Sequence, residues 1–412
     1  MSSVLPRVGD RLAAYSLFAA VLSGAGLPIY IYAPKYYADT YGVSLAALAA
    51  VLFGLRLFDV VQDPVLGWIS ERLGVWRKAA VAAGAAVLAL SMLGLFGVAP
   101  PIAPIWWFGL TITGLFTAFS FLTINFYAQG IAKAETVSGG HTTVAAWRET
   151  GALLGVCVAA VTPTLLQGVV PAPFAAFAAG FAGVTIIAAA LMAPEWSGTV
   201  DHEPTRMRAI LADRTARRLL LLALVNATPL AVSSTLFLFY VESRLGAPGW
   251  EGALLVLFFL AAAMSAPVWA RLASTWGEKV VLLLAMCIAI TAFGCVLTLG
   301  EGDVVVFAVI CIVTGATIGA DLTLLPALFA RRMSVISPSG GQGFGLWSLV
   351  NKFTLAFAAA ILLPALEAQG FVTGTGNNPE AALITLTLLY ALVPCALKLV
   401  AIGILLTTPL KE

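Results

Sequence analysis

Charged residues are scarce in this 412-residue chain: Lys, Arg, Asp and Glu together make up 10% of it, whereas 61% of its residues are hydrophobic. A soluble domain has about 25% charged and about 45–50% apolar residues, so this composition excludes an ordinary soluble fold. Apolar runs of roughly 20 residues recur between short polar or Pro/Gly-rich joints. That pattern is typical of a membrane protein with many helical spans.

Histidine and cysteine are also few, with two and five residues respectively. The cysteines all lie within apolar segments, at Cys157, Cys287, Cys295, Cys311 and Cys395. Their spacing indicates neither a disulfide framework nor a metal site. No nucleophile–base pair, metal-ligand cluster or phosphate-cradling loop stands out, so we predict no enzymatic reaction and no cofactor.

Twelve apolar spans are predicted. They lie at 13–33, 45–69, 78–98, 104–130, 145–169, 172–193, 219–241, 250–272, 279–299, 303–330, 343–366 and 381–408. The longest polar joint separates spans six and seven and divides the chain into halves of similar length. We therefore predict an all-α membrane protein with an N-terminal six-helix bundle (1–193), a linker (194–218) and a C-terminal six-helix bundle (219–412).

The positions of Lys and Arg predict the orientation. If both termini are cytoplasmic, 17 of the 22 basic residues fall in cytoplasmic segments, and only Lys35 and Arg244 fall outside. The other three, Arg56, Lys352 and Lys398, lie within spans. Such a bias is the positive-inside pattern, and we expect a protein of the bacterial inner membrane with a cytoplasmic linker. Lys398, near the inner end of span twelve, is expected to snorkel to the membrane surface.

An internal repeat supports the two halves. PVLGWISERLGVWRK begins at Pro64 and PVWARLASTWGEKV begins at Pro267, and a glycine follows ten residues later in each, at Gly74 and Gly277. Duplicated six-helix units are expected to show such a match, although chance similarity in a biased composition is the alternative.

The second span carries three ionisable residues, Arg56, Asp59 and Asp63, at membrane depth. At the same offsets the second copy of the repeat has only Phe and Ala, so helix packing alone does not require these charges. At about 100° per residue all three project from one side of the helix. One Arg against two Asp leaves excess negative charge, which predicts a site for a small cation such as Na⁺. An ion-pair network that only fixes the packing of this span is the alternative.

Other polar residues at membrane depth are few. Lys352 on span eleven is notable because a buried ammonium requires an anion, and the carboxylates of span two are the expected partner. Ser348 lies four residues earlier on the same face. Two roles remain open for Asp321 on span ten. It is either a gate residue or a partner for Arg148 or another basic side chain.

The loop after the second span, GWISERLGVWRK, resembles the loop between spans two and three of major facilitator superfamily transporters. The glycines, acid and bases of that pattern are filled here by Gly67, Glu71, Arg72, Gly74, Arg77 and Lys78. We expect Gly67 to permit close helix approach and the charged cluster to act as a cytoplasmic gate through inter-helix salt bridges. A simple positive-inside anchor is the alternative.

RLFDVVQDPVLGW, at 56–68, is similar to the cation-site helix of the glycoside–pentoside–hexuronide:cation symporter family within that superfamily. Every fixed position of the family pattern R-x-x-D-x-x-x-D-P-x-x-G-W is matched. AAWRETGALLG, GADLTLLPALFA and GFGLWSLVNKF agree as well, so the resemblance covers essentially the whole chain. It implies the major facilitator fold, with two pseudo-symmetric six-helix bundles.

The resemblance also implies site residues. The cation site would comprise Asp59, Asp63, Ser120, Ser348 and Lys352, with Na⁺ or another small cation at the two aspartates. The substrate cavity would comprise Ser23, Arg56, Thr123, Tyr127 and Arg148. Two of these depart from the family, which has sugar-binding aspartates at the positions of Ser23 and Thr123.

Together these features predict a cation-coupled transporter of a small organic solute, most simply a sugar or glycoside. The loss of both sugar carboxylates leaves a less charged cavity, so a lysolipid or another amphiphile is an alternative solute. A facilitator-fold protein that transports nothing and acts as a receptor or assembly factor is the alternative class. We expect a monomer whose partners are the solute and membrane lipid, with no nucleic acid; the coupling ion, Na⁺, Li⁺ or H⁺, is left open.

Overall fold

The computed structural model describes residues 11–27, 32–197, 207–371 and 378–409, and these are helical or lie in short turns, without strands. The helices are α1 (Leu12–Leu27), α2 (Ala33–Tyr41), α3 (Leu45–Arg72), α4 (Arg77–Phe96), α5 (Pro104–Thr136), α6 (Gly140–Leu166), α7 (Pro173–Met192), α8 (Met207–Ala212), α9 (Arg214–Phe239), α10 (Glu251–Trp276), α11 (Glu278–Gly294), α12 (Val304–Ile336), α13 (Gly341–Glu367), α14 (Glu380–Thr387) and α15 (Val393–Thr407). Two π-helical segments, Tyr240–Arg244 and Leu388–Leu392, continue α9 and join α14 to α15.

Among the described residues, a helix overlaps each of the twelve predicted spans. Nine helices of the described part are long and apolar enough to cross a membrane, and Leu12–Gly26 is a shorter apolar helix. Helices α3 and α13, with 28 and 27 residues, exceed the length of about 20 that a bilayer requires. The prediction of an all-α membrane protein is therefore confirmed.

The first span differs most from its predicted bounds. Helix α1 ends at Leu27, residues 28–31 lie outside the described part, and α2 begins at Ala33, where the predicted span ends. A proline in the first turn of α2 suits a helix start because its missing N–H is not needed there. Gly42, with a φ of 66°, ends α2 by donating its amide to the Ala38 carbonyl.

The chain divides into two compact units, residues 1–210 with 330–349, and residues 211–329 with 350–412. The division at 210 falls within the predicted linker, of which residues 198–206 lie outside the described part. The segment 330–349, which the sequence places in the C-terminal half, belongs to the first unit. Its contacts with α3 and α5 are the reason and are given below.

Helices α1 and α6 pack backbone to backbone in the first unit. A Cβ added at Gly151 would lie 2.1 Å from the Ser16 carbonyl oxygen, and one at Gly155 would lie 2.2 Å from that of Ala20. The Ser16 hydroxyl also donates to the Trp147 carbonyl at 2.5 Å. Small residues four apart allow this close approach, as is common between membrane helices.

Replacing Gly151 by leucine is therefore expected to destabilise the protein. Overpacking typically costs about 1–3 kcal/mol, and here the backbone of α1 must move. Gly180→Leu on α7 is the matched control because nothing lies within 4 Å of a Cβ there. Thermal denaturation of the purified variants should show a lower melting temperature for Gly151→Leu only. Equal melting temperatures would contradict this packing.

Candidate functional site

Asp59 and Asp63 lie on one face of α3 and are buried, with 2% and 0% of their surfaces exposed. Pro64, the next residue, lies inside the helix and has no N–H, so the Val60 carbonyl loses its usual helical donor. Two carboxylates and a freed carbonyl oxygen are thus concentrated on one turn of a membrane helix. Oxygen atoms of these kinds are ligands of hard cations.

A hydroxyl from α13 contacts this turn. The Ser348 Oγ donates a hydrogen bond to Asp63 Oδ2 at 2.6 Å. On α5, the Thr117 hydroxyl donates to the Gln62 side-chain oxygen at 3.0 Å. Ser120 lies one turn after Thr117 and is fully buried, so it shares the α5 face that packs on α3. The structure thus brings four of the predicted cation-site residues onto neighbouring faces of α3, α5 and α13.

Glycines let α13 come this close to α3. A Cβ added at Gly67 would lie 2.7 Å from the Gly341 carbonyl oxygen, and one at Gly345 would lie 3.0 Å from the Asp63 carbonyl oxygen. The ring of Phe344 packs 5.2 Å from that of Tyr127 on α5. These contacts explain why the first part of α13 belongs to the first unit.

Glu71, one turn beyond Gly67, binds the start of α13. Its Oε1 accepts hydrogen bonds from the Ser339 hydroxyl and the Gln342 amide, each at 2.9 Å. Gln342 is the second residue of α13, so the carboxylate lies at a helix N-terminus, where negative charge is favoured. The expected inter-helix role of Glu71 thus takes the form of hydrogen bonds to a helix start.

The other residues of this loop cluster have local roles. The Arg72 guanidinium stacks on Trp68, with Cζ 3.8 Å from the ring centroid. Gly74 has a φ of 46°, which suits glycine in the turn to α4. Arg77 donates to the Ser70 carbonyl at 3.4 Å, and Lys78 is exposed.

Tyr127 and Arg148, two residues of the predicted substrate cavity, form a buried cluster with Glu149. Glu149 is not among the residues that the sequence predicts for that cavity. Arg148 Nε lies 2.8 Å from Glu149 Oε1, and the Tyr127 hydroxyl donates to the same oxygen at 3.0 Å. The Arg148 guanidinium also lies over the Tyr127 ring, 3.6 Å from its centroid. One face of Tyr127 is thus covered by a cation, and the ring of Phe344 packs against Tyr127 as well. The adjacent opposite charges in AAWRETG are the sequence feature that could have predicted the contact of Glu149 with Arg148.

The remaining predicted site residues are placed as follows. The Thr123 hydroxyl is buried and has no hydrogen-bond partner within the described part of the chain. Ser23 is partly buried on α1, and the side chain of Arg56 lies outside the described residues. Lys352 is partly buried on α13, one turn after Ser348, but belongs to the second unit.

Asp321 has a definite partner in the second unit. It forms a buried ion pair with Lys398, whose Nζ also donates to Asn226 Oδ1 at 2.7 Å. The expectation that Lys398 snorkels to the membrane surface is therefore wrong. A carboxylate on α12 and an amide on α9 solvate its ammonium inside the unit instead. The alternatives left open for Asp321 thus resolve to a basic partner on α15, whereas Arg148 pairs with Glu149.

A family model described as "MFS/sugar transport protein" matches residues 13–412. The chain belongs to this family. A comparison with curated proteins gave no match. Two solved structures of similar fold are a bacterial homologue of the iron transporter ferroportin and a variant of the E. coli fucose:proton symporter.

The ferroportin homologue, in an outward-facing state, has a TM-score of 0.73 and 15% identity, over 96% of this chain and 98% of that one. The fucose:proton symporter has a TM-score of 0.61 and 14% identity, over 95% of this chain and 97% of that one. At such identities the likeness shows the fold alone. The predictions of the major facilitator fold and of family membership are confirmed, and the protein is an integral membrane protein of a transporter family.

The cluster around Arg148 yields a stability prediction. Glu149→Gln leaves a buried guanidinium without its anion, and breaking a buried pair typically costs about 3–5 kcal/mol. The control is Asp39→Asn, which breaks the exposed Lys35–Asp39 pair. Thermal denaturation should show a clear loss of stability for Glu149→Gln and almost none for the control. A similar melting temperature for both would mean that Arg148 does not depend on Glu149.

Proposed function

We propose that this protein is a secondary transporter that couples movement of a small organic solute to that of Na⁺ or H⁺ across the bacterial inner membrane. The observation that carries the proposal is the buried pair Asp59 and Asp63, with the Ser348 hydroxyl on Asp63. We further propose that it works as a monomer with both termini in the cytoplasm, and that it requires a coupling ion rather than a cofactor.

The electrostatics of α3 favour a cation there. Two carboxylates four residues apart repel each other when both are ionised, and burial raises this cost because little water screens them. A sodium ion or a proton between them removes the repulsion. The Ser348 hydroxyl can turn a lone pair toward a metal ion or donate to a carboxylate, so it suits both the occupied and the empty site.

Ion binding affects α13 through the hydrogen bond from Ser348 to Asp63. The first part of α13 packs on α3, whereas residues from 350 onward belong to the second unit. In alternating access the two halves of such a transporter rock about a central site. Neutralising Asp63 changes its bond to Ser348 and so changes how firmly α13 is held. Solute and ion affinities are then linked reciprocally.

The proposed solute is a sugar or glycoside. The family description names sugar transport, and the unsatisfied Thr123 hydroxyl and the Tyr127 ring offer polar and aromatic contacts to a sugar ring. Ser23 and Thr123 provide no carboxylate at the two positions where the symporters that the sequence resembles have an aspartate. We therefore expect fewer charged contacts to the solute.

Transport in proteoliposomes tests the coupling. Wild-type protein should accumulate radiolabelled sugars or glycosides from a panel when a Na⁺ or pH gradient is imposed. Asp59→Asn and Asp63→Asn should abolish this accumulation while sparing exchange, and Asp39→Asn should behave as wild type. Accumulation by either of the two α3 variants would contradict the cation role. Absence of flux for every solute and ion would favour the non-transporting receptor or assembly factor.

Ser348 provides a finer prediction. Ser348→Ala removes a hydroxyl that we place beside the ion, and a hydrogen bond to a charged group contributes about 1.5–3 kcal/mol. In nanodiscs, half-maximal thermal stabilisation of Ser348→Ala should therefore require an Na⁺ concentration at least about tenfold higher than for wild type. Ser348→Thr keeps the hydroxyl and should stay near wild type.

Ser234→Ala is the matched control, because that hydroxyl bonds only its own helix backbone within the described residues. If all three variants respond to Na⁺ as wild type does, the hydroxyl is not a ligand. Stabilisation that follows pH and ignores Na⁺ in wild type would identify H⁺ as the coupling ion.

A further inference from the structure

The second unit contains an apolar cavity of about 130 Å³ between α9, α10, α11, α12 and α15. Aromatic side chains dominate its wall, among them Phe237, Phe258, Phe293, Phe307 and Tyr390. Tyr390 belongs to the π-helical segment Leu388–Leu392, and such segments are frequent at functional sites.

Most polar groups of this wall are satisfied by their own helix. The Ser233 hydroxyl donates to the Pro229 carbonyl at 2.8 Å, and the Thr314 hydroxyl donates to that of Ile310 at 2.7 Å. Thr317 likewise donates to a carbonyl of α12. Ser234 donates to carbonyls of α9 in the same way. The amide and charged groups that the wall can offer a ligand belong to a triad, Asn226, Asp321 and Lys398, and Tyr390 adds a phenol hydroxyl.

This triad is buried but not saturated. Asn226, Asp321 and Lys398 are 4%, 5% and 6% exposed. Lys398 uses two of its three N–H donors, on Asp321 Oδ2 and Asn226 Oδ1. Asp321 Oδ1 is buried and accepts no hydrogen bond within the described part of the chain. The Asp321–Lys398 pair therefore offers one acceptor and one donor without net charge.

A purely structural ion pair explains this arrangement less well. Buried polar groups are normally satisfied, and an unpaired carboxylate oxygen in a low-dielectric site is costly. Well-packed apolar residues would fix these helices as firmly as the ion pair does. Asp321 and Lys398 line the cavity, so a ligand hydroxyl beside them can supply the missing hydrogen bond once the Asp321 carboxylate turns its buried Oδ1 toward the cavity.

The cavity also restricts the ligand. A donor and an acceptor without net charge match hydroxyl groups. The apolar wall would leave most hydroxyls of a free sugar unbonded, which is unfavourable. The volume is close to the roughly 150 Å³ of an apolar cavity that admits benzene. A ligand with a benzene-sized apolar group and hydroxyls on one side of it matches the volume of the cavity, its apolar wall and its uncharged donor and acceptor.

We propose that this cavity is a subsite for the apolar end of an amphipathic solute, with a hydroxyl of that solute between Asp321 Oδ1 and Lys398 Nζ. The solute class is a glycoside with an aryl or short alkyl group rather than a free sugar. This inference rests on the transport function proposed above and narrows its solute.

Binding to wild-type protein in nanodiscs tests the solute class. Calorimetry would compare the phenyl and methyl β-glycosides of glucose and galactose with lysophosphatidylcholine, each with Na⁺ and at two pH values. At least one phenyl glycoside should bind about tenfold or more tightly than its methyl counterpart. Equal affinities, or binding of the lysolipid alone, would overturn the proposal.

A double variant tests the triad. Asp321→Leu with Lys398→Met removes donor and acceptor together and leaves no buried charge, so the fold should survive. The phenyl glycoside should bind this variant about tenfold less tightly than wild type because the hydrogen bonds to its hydroxyl are lost, while stabilisation by the coupling ion persists. The control is Lys133→Met with Glu195→Leu, which replaces a largely buried pair of the first unit and should leave the affinity for the phenyl glycoside intact.

Ala289→Leu provides a second test of the cavity and does not alter the Asp321–Lys398 ion pair. Ala289 lines the cavity, so a larger side chain there should remove the phenyl preference and spare methyl glycoside binding. An unchanged preference in Ala289→Leu would overturn the proposal even if the double variant fails to fold. Conversely, if the Asp59 and Asp63 variants keep ion-driven accumulation while the phenyl preference follows the cavity, only the coupling proposal fails.

Discussion

Helices α3 and α13 touch through their backbones at Gly67, Gly341 and Gly345, and the proposed ion site depends on this contact. Without it the short Ser348 side chain would not lie 2.6 Å from Asp63. The same approach places Glu71 at the first amides of α13. A pattern of glycines thus brings an uncharged hydroxyl and a helix N-terminus to two buried acids.

The two segments of the predicted repeat, in α3 and α10, differ in charge. Ala262 of α10 stands where α3 has Asp59, and a Cβ added at Gly319 of α12 would lie only 2.8 Å from the Ala262 carbonyl oxygen. Close packing of α10 on α12 therefore leaves little room for acidic side chains. The second unit instead has a buried ion pair between α12 and α15, Asp321 with Lys398. The predicted repeat therefore matches the two helices in position but not in charge.

The fold could be predicted because apolar runs of membrane length need only composition and Lys/Arg positions to be recognised. Asp59 and Asp63 stood out for the same reason, since charge in such runs is rare. Partners were harder to predict. Lys398 near a helix end fitted snorkelling until the structure showed Asp321 on a neighbouring helix, and no spacing rule links residues 77 positions apart. The inclusion of residues 330–349 in the first unit likewise follows from backbone contacts that sequence spacing does not encode.

The ion site and the apolar cavity lie in different units, so coupling between them requires elements that belong to both. The division of the chain at 329/330 and 349/350 falls within α12 and α13. Helix α12 carries Asp321 in the second unit, and α13 carries Ser348 in the first and Lys352, one turn later, in the second. In the proposed function, ion occupancy at Asp63 acts on α13 through Ser348 and solute occupancy beside Asp321 acts on α12, so each proposed site acts on one helix that belongs to both units.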